Sequence, residues 1–394
     1  MFRNTVLTIT AMLISCQGCD QTYPAVPRID FVEMSSLQPQ MNDPDVIWYD
    51  AFNGDKEYME SKGNIDYEVF FGQQGGSMPV GFNKADVSGK GNRKLVFGDF
   101  PDPDSLLPVV KRGKRFDEIY WRIYVKHELG WEGSPAKMSR ATSIVSGKWR
   151  QAMIAHVWSG PDNTLTLDPA SGIEGQSGTV KSTRYNDFEN LNWLGNEPAS
   201  RFRISSTEES GYWVMVEASA KLNTPGQSNG SSYLWINGQL EAERQDLNFR
   251  GSYTGHGINA VFLESYWNSG SLKTQGRWYD NFIVSTNPIG PVSCPPNPTL
   301  YKTPYQGEGQ LSAWEVQIAT DIDGQNIVFK SGKLSREEHM TVNSHQGDFL
   351  ENLQDSSELS PSYTYFCKVR QKSKNGKWSD WSHWHQPFRV SVSK

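Results

Sequence analysis

The sequence predicts an all-β protein built from a large antiparallel jelly-roll sandwich and a smaller β-sandwich. Three observations predict it. Period-two runs of apolar residues recur between Val46 and Ile289, and no long helical period interrupts them. Clusters of Gly, Asn, Asp and Pro separate the runs, in a chain of 394 residues with 35 Gly and 21 Pro. A Pro-rich stretch at 291–298 then divides this region from a second set of alternating runs.

The clearest run is Ile119 to His127. Its odd positions Ile119, Trp121, Ile123 and Val125 point one way. Tyr120, Arg122, Tyr124 and Lys126 point the other, placing two phenols and two cations on one face. Trp149 to Trp158 follows, largely apolar apart from Arg150, Gln151 and His156. Thr164–Leu167 is short, and Tyr212–Ala220 alternates less cleanly. Ser232–Ile236 and Gln239–Glu243 flank Asn237-Gly238, a pair that tolerates φ > 0 and so marks a two-residue hairpin. Ile258–Trp267 and Arg277–Ser285 complete the set. Many short strands without intervening helices imply a two-layer antiparallel architecture.

Within this pattern, YLWINGQLEAER, INAVFLESYWNSGS and RWYDNFIVST resemble the concanavalin A-like lectin/glucanase superfamily, covering about residues 45–290. The likeness is to its jelly-roll polysaccharide lyases and laminin-G-like relatives. That superfamily holds lyases, hydrolases and pure binders, so the fold does not settle function. After the linker, 299–394 carries LSPSYTYFCKVRQKSKNGKWSDWS, which resembles the last strands of a fibronectin type III domain. Leu359, Pro361 and Tyr365 match its leucine-proline turn and corner tyrosine. Trp378 and Trp381 of the WSxWS pattern would then stack with Lys368 and Arg370 in a cation–π ladder.

The N-terminus reads as an address. Arg3 precedes an apolar stretch too short to span a bilayer, ending in Leu13-Ile14-Ser15-Cys16. This resembles a bacterial lipoprotein lipobox and implies lipidation at Cys16, with 1–15 as signal peptide. An ordinary secretory signal is the alternative. Gln17 in place of Asp points to the outer membrane or cell surface. Residues 16–44, rich in Pro, Gln and Asp, read as a tether. Cys294 and Cys367 remain, either bridged in an oxidising compartment or as two buried thiols.

Charge excludes one class and aromatics suggest another. A net charge of −6 argues against a nucleic-acid partner. The 14 Trp, 16 Tyr and 18 Phe are many for so polar a chain, and those on polar faces suit a carbohydrate. No nucleophile elbow, HExxH, zinc-spaced CxxC pair or phosphate loop occurs. The Glu-x-Asp-x-Glu triplet of the superfamily's retaining glucanases is also missing, which removes the paired carboxylates that glycoside hydrolysis uses.

β-Elimination on a uronic acid needs different groups: a base for the C5 proton, an acid for the leaving oxygen, and a cation or amide for the carboxylate. The candidates for catalysis are His156, Tyr124, Tyr266 and Arg122. Those for substrate binding are Lys126, Gln151, Glu264, Arg277 and Tyr279, with Lys137 and Arg140 on a basic loop. Gln151 and His156 resemble the Gln-x-His strand of alginate lyases. Their spacing of five, however, places them on opposite faces of an unbroken strand. The expectation is that the polar faces line one groove, with Tyr124 and His156 within about one sugar ring of each other. Asp50 and Asp280 are candidate ligands for a structural Ca²⁺, or else caps of turns. No other cofactor is expected. The function expected is a surface-anchored, lyase-like protein acting on an acidic polysaccharide. The alternatives are a non-catalytic glycan-binding lipoprotein and a structural adhesion protein.

Overall fold

A computed structural model describes residues 23–391 except 103, 136 and 336. Cys16, the signal peptide and the first part of the tether lie outside the described residues. The chain is all-β, with short 3₁₀ turns as its only helical elements among the described residues. No described helix is long and apolar enough to cross a membrane.

Two seven-stranded antiparallel sheets form the sandwich. The first runs, edge to edge, β10 (Asn192–Trp193), β9 (Leu165–Ser171), β8 (Gln151–Ser159), β7 (Lys137–Ile144), β14 (Ala260–Tyr266), β5 (Asn92–Val96) and β3 (Glu60–Lys62). The second runs β13 (Gln239–Leu247), β12 (Gly230–Ile236), β11 (Trp213–Lys221), β6 (Glu118–His127), β15 (Gln275–Ser285) and β2 (Val46–Asp50), while β4 (Met78–Phe82) pairs with the other end of β15. Strand neighbours far apart in sequence, such as β7 beside β14, are the mark of a jelly-roll path.

Side-chain parity builds the core between the sheets. Ile119, Trp121, Ile123 and Val125 of β6 pack there as their alternation predicts, opposite Ala141, Ala155, Val157, Val261 and Leu263 of the first sheet. The Asn237-Gly238 pair turns β12 into β13 with φ of 48° and 78°, the left-handed values a two-residue hairpin requires.

The C-terminal module has a six-stranded sheet: β16 (Ser293–Cys294), β23 (His385–Val390), β22 (Thr364–Ser373), β18 (Leu311–Ala319), β19 (Ile327–Ser331) and β21 (Gly347–Phe349). A three-stranded sheet faces it: β1 (Ile29–Val32), β17 (Thr299–Lys302) and β20 (His339–Thr341). The Tyr365 hydroxyl donates to Ser360 O at 2.7 Å and accepts from Ser360 N at 2.8 Å. The cation–π ladder forms: Arg370 lies 4.5 Å from Trp378 and 4.6 Å from Trp381, and Lys368 lies 5.2 Å from Trp381 and 4.7 Å from Trp384.

One expectation is corrected here, and one of the two readings of the remaining cysteines is observed. Part of the tether is structured, because Ile29–Val32 is β1 and pairs antiparallel with β17. His385 fixes this strand: its Nε2 accepts from Ile29 N at 2.7 Å, and the Gln386 amide donates to Asp30 O at 2.6 Å. Cys294 and Cys367 are free and buried, and burial raises both thiol pKa values.

The module seats on the outer face of the second sheet. Phe71, Tyr124, Trp213 and Met215 share one apolar cluster with Val292, Cys294 and Leu300. The outer face of the first sheet carries the exposed cleft described next.

Candidate functional site

Three β-bulges build the site. Opposite the β7–β8 pair, Ser143 faces Met153 while Ile144 faces Gln151, so one residue of β8 is extra. The bulge shifts parity by one. Gln151 thereby joins Thr142, Arg140 and His156 on the outer face, and its amide donates to Thr142 Oγ1 at 3.1 Å. The opposite-face expectation for Gln151 and His156 is thus corrected.

The second and third bulges lie side by side. On β7 the register slips between Lys137 and Ser139; on β14 it slips between Leu263 and Tyr266. The β7 slip turns Lys137 outward, where strict alternation from Arg140 would bury it, while Tyr266 shares the outward face of Phe262 and Glu264 by alternation. Lys137 and Tyr266 emerge as register partners, with Lys137 Nζ 4.9 Å from the Tyr266 ring centroid. The same Nζ lies 5.5 Å from Trp158 and 5.4 Å from Phe188. Burial among these rings lowers the lysine pKa; Glu264 opposes this and Arg140 adds to it. The "basic loop" is corrected accordingly: Lys137 and Arg140 belong to a strand and are 8% and 0% exposed.

Arg140 is the polar centre beneath the cleft. It pairs with Glu264 Oε1 at 2.6 Å, donates to Asn186 Oδ1 at 2.7 Å and bonds the Tyr185 hydroxyl. Glu264 Oε2 has no partner among the described residues. Lys94 bonds Glu60 at 2.8 Å and lies over the rings of Trp149, Tyr185 and Phe262. The open cleft holds about 210 Å³. Its lining includes Lys62, Lys94, Lys137, Tyr185, Glu264 and Tyr266. Counting Arg140 below, four cations face two carboxylates, the reverse of the sign of the chain as a whole.

His156 sits on this face but not in the cleft. It is fully buried, with Trp158 at 3.9 Å and Trp193 at 5.9 Å between ring centroids. Its Nδ1 faces Asp168 O at 3.1 Å, and its Nε2 has no partner. Burial drives its pKa well below the usual value, so the ring is neutral. The segment 185–193 lies over it. There Asn186 N donates to Gln151 Oε1 at 2.8 Å, while Phe188 and Trp193 present exposed edges.

The other sequence candidates are elsewhere. Tyr124 and His156 are on different sheets, so their expected pairing is overturned. Tyr124 accepts from Val292 N at 3.2 Å, and burial pushes its pKa up to about 12. Arg122 donates to Gly290 O at 2.7 Å, and Lys126 pairs with Asp30 at 2.6 Å. All three are spent on joining the modules, because their face of β6 meets the C-terminal module.

Arg277 and Tyr279 point inward from β15 into the sandwich core. They reach the back of the first sheet, not a groove. Asp50 accepts from Phe52 N at 2.7 Å and from the Tyr58 hydroxyl at 2.5 Å. Asp280 accepts from Phe71 N at 2.7 Å and from Asn281 N at 2.5 Å. Each oxygen of the two carboxylates thus accepts one hydrogen bond from the protein. No three His, Cys, Asp or Glu converge for a metal among the described residues.

Tyr185, Asn186, Lys94 and Glu60 complete the site without a signal in the sequence. Tyr185 and Asn186 lie on a loop with no periodicity. Lys94 and Glu60 lie on strands too short to show it.

No protein-family model matches the chain, and no curated protein does. Among solved structures it is similar to the endo-β-1,4-glucuronan lyase of Trichoderma reesei, with 13% identity over 66% of this chain and 96% of that one and a TM-score of 0.40. It is similar to alginate lyase vAL-1 from Chlorella virus, at 14% identity, 58% and 91% coverage and a TM-score of 0.41. It is also similar to the PL-14 alginate lyase from Aplysia kurodai, at 12% identity, 57% and 87% coverage and a TM-score of 0.37. Likenesses of this strength leave the activity to be argued from the residues themselves.

Proposed function

We propose that the cleft binds a uronic-acid polysaccharide and cleaves it by β-elimination, with Lys137 and Tyr266 as the proton-transfer pair. The observation that carries this reading is their juxtaposition on paired bulges, at the mouth of a cleft with excess positive charge. A lysine held among aromatic rings has a lowered pKa, so more of it is a neutral amine at a given pH. That amine takes the C5 proton. The C5–H electrons form the C4–C5 double bond as the C4–O bond breaks, and the Tyr266 hydroxyl protonates the departing oxygen. Lys62 and Lys94 are the cleft cations placed to offset the uronate charge.

Arg140 and His156 support rather than react. Arg140 neutralises Glu264, which would otherwise repel the substrate. His156 is sealed beneath Trp158 and Trp193.

Mass spectrometry of the digests tests the proposal. Elimination products lack one water relative to hydrolysis products. Products of full hydrate mass would replace the lyase reading by a hydrolase.

A second reading is non-catalytic glycan capture. It is favoured by the rings of Phe188, Trp193 and Tyr266, each more than a third exposed around the cleft. We further propose that the chain is exported and anchored through Cys16 at the outer membrane or cell surface. In this reading the C-terminal module is a fibronectin type III-like spacer that holds the sandwich away from the membrane.

A further inference from the structure

Strand β15 belongs to the second sheet, yet two of its side chains cross the core to the first. Arg277 Nη2 donates to Lys137 O at 2.7 Å and to Glu264 O at 2.8 Å. The Tyr279 hydroxyl donates to Glu264 O at 3.1 Å and lies 3.4 Å from Met138 O. These carbonyls belong to the two adjacent bulges, one on β7 and one on β14. A bulge leaves carbonyls without ladder partners, and a buried unpaired carbonyl is costly. One guanidinium satisfies a carbonyl from each strand. The Arg277 guanidinium lies 4.9 Å from the Tyr279 ring centroid, so the two donors brace each other. Both residues are 0–1% exposed, and among the described residues no carboxylate pairs with Arg277. A fully buried arginine spent on main-chain carbonyls alone is an expensive way to fill a core.

We propose that Arg277, braced by Tyr279, is a positioning residue: it ties the two bulges together from inside the sandwich and so fixes the Lys137–Tyr266 spacing on the outer face. The role in catalysis rests on the function proposed above; the role in geometry does not. Proton transfer to and from a sugar depends on placement, and a misplacement of about 1 Å costs roughly 100-fold in rate.

The test reads geometry and rate separately. In protein with ¹³C-labelled lysine, the Lys137 ε-methylene signal is assigned by its loss in Lys137→Arg. In the wild type the rings of Tyr266, Trp158 and Phe188 shift that signal away from the ordinary lysine position. Arg277→Met should return it toward that position while thermal unfolding stays cooperative, and Arg277→Lys should recover part of the shift. On an active substrate, Arg277→Met should lower kcat roughly 100-fold with little change in KM. A folded Arg277→Met with an unmoved Lys137 signal overturns the proposal. Should Arg277→Met not fold, Tyr279→Phe decides: a smaller displacement in the same direction supports the brace, and none overturns it. If the wild type eliminates no substrate, the function fails while the Lys137 signal still judges the clamp.

Discussion

Lys137 and Tyr266 are register partners across β7 and β14, and the lysine Nζ stands 4.9 Å from the centre of the phenol ring. Tyr266 faces the cleft by the alternation of β14, whereas Lys137 is delivered by the bulge in β7. If they are the acid and base, Lys137→Met and Tyr266→Phe should each lower turnover by roughly 100-fold or more. Retention of the same polysaccharide in affinity electrophoresis should change only a few-fold. Equal losses in binding and turnover would make them binding residues.

Tyr124 provides the contrasting case. Its hydroxyl is engaged by Val292 N at the seat of the C-terminal module. Tyr124→Phe should leave turnover unchanged and lower stability by about 1 kcal/mol, the usual worth of one hydrogen bond. Urea unfolding and a rate assay on one preparation check both.

Arg140 holds the cleft floor together through Glu264, Asn186 and Tyr185. Arg140→Met leaves the Glu264 carboxylate without its partner and should cost about 3 kcal/mol. Adding Glu264→Gln should restore part of that loss, because the stranded charge is removed. The comparison is made by urea midpoints of the two variants.

His385 gives a pH dependence of known sign. Its Nε2 accepts from Ile29 N and its Nδ1 faces His383 O at 2.9 Å, an arrangement only the neutral ring can make. Burial holds its pKa well below the usual value; His383 and Arg28 add to this. The unfolded chain therefore takes up a proton below about pH 6.5 that the folded chain refuses. The stabilisation is complete above that pH and declines as pH falls toward the folded value. Relative to His385→Gln, the wild type should lose about 1.4 kcal/mol per pH unit between pH 6 and pH 5. Parallel urea titrations of the two proteins measure it.

The strands with clean alternation were legible in the sequence. The Ile119–His127 run, the Asn237-Gly238 hairpin and the Arg277–Ser285 run all match elements of the fold. The site was legible only as a set of residue types. Lys137–Ile144 looks like a loop because its outward face is polar and yet buried, so no hydrophobic period marks it. Gln151 falls on the wrong face by counting, and only the bulge in β8 returns it to His156. Tyr124 and Arg277 carry the right chemistry, but the alternation of one strand cannot say what covers each face. Sheet order decides that, and it is set by pairings such as β7 with β14, more than a hundred residues apart.

The reaction proposed for this cleft is β-elimination. Ultraviolet absorbance of the wild-type protein mixed with alginate, glucuronan, pectate and glycosaminoglycans tests it most directly. β-Elimination leaves a conjugated, unsaturated uronide at each new non-reducing end. A steady rise in absorbance is expected on at least one of these polymers, abolished by Lys137→Met. A flat trace on all of them, from protein that still binds one in affinity electrophoresis, would contradict it and leave a glycan-binding protein.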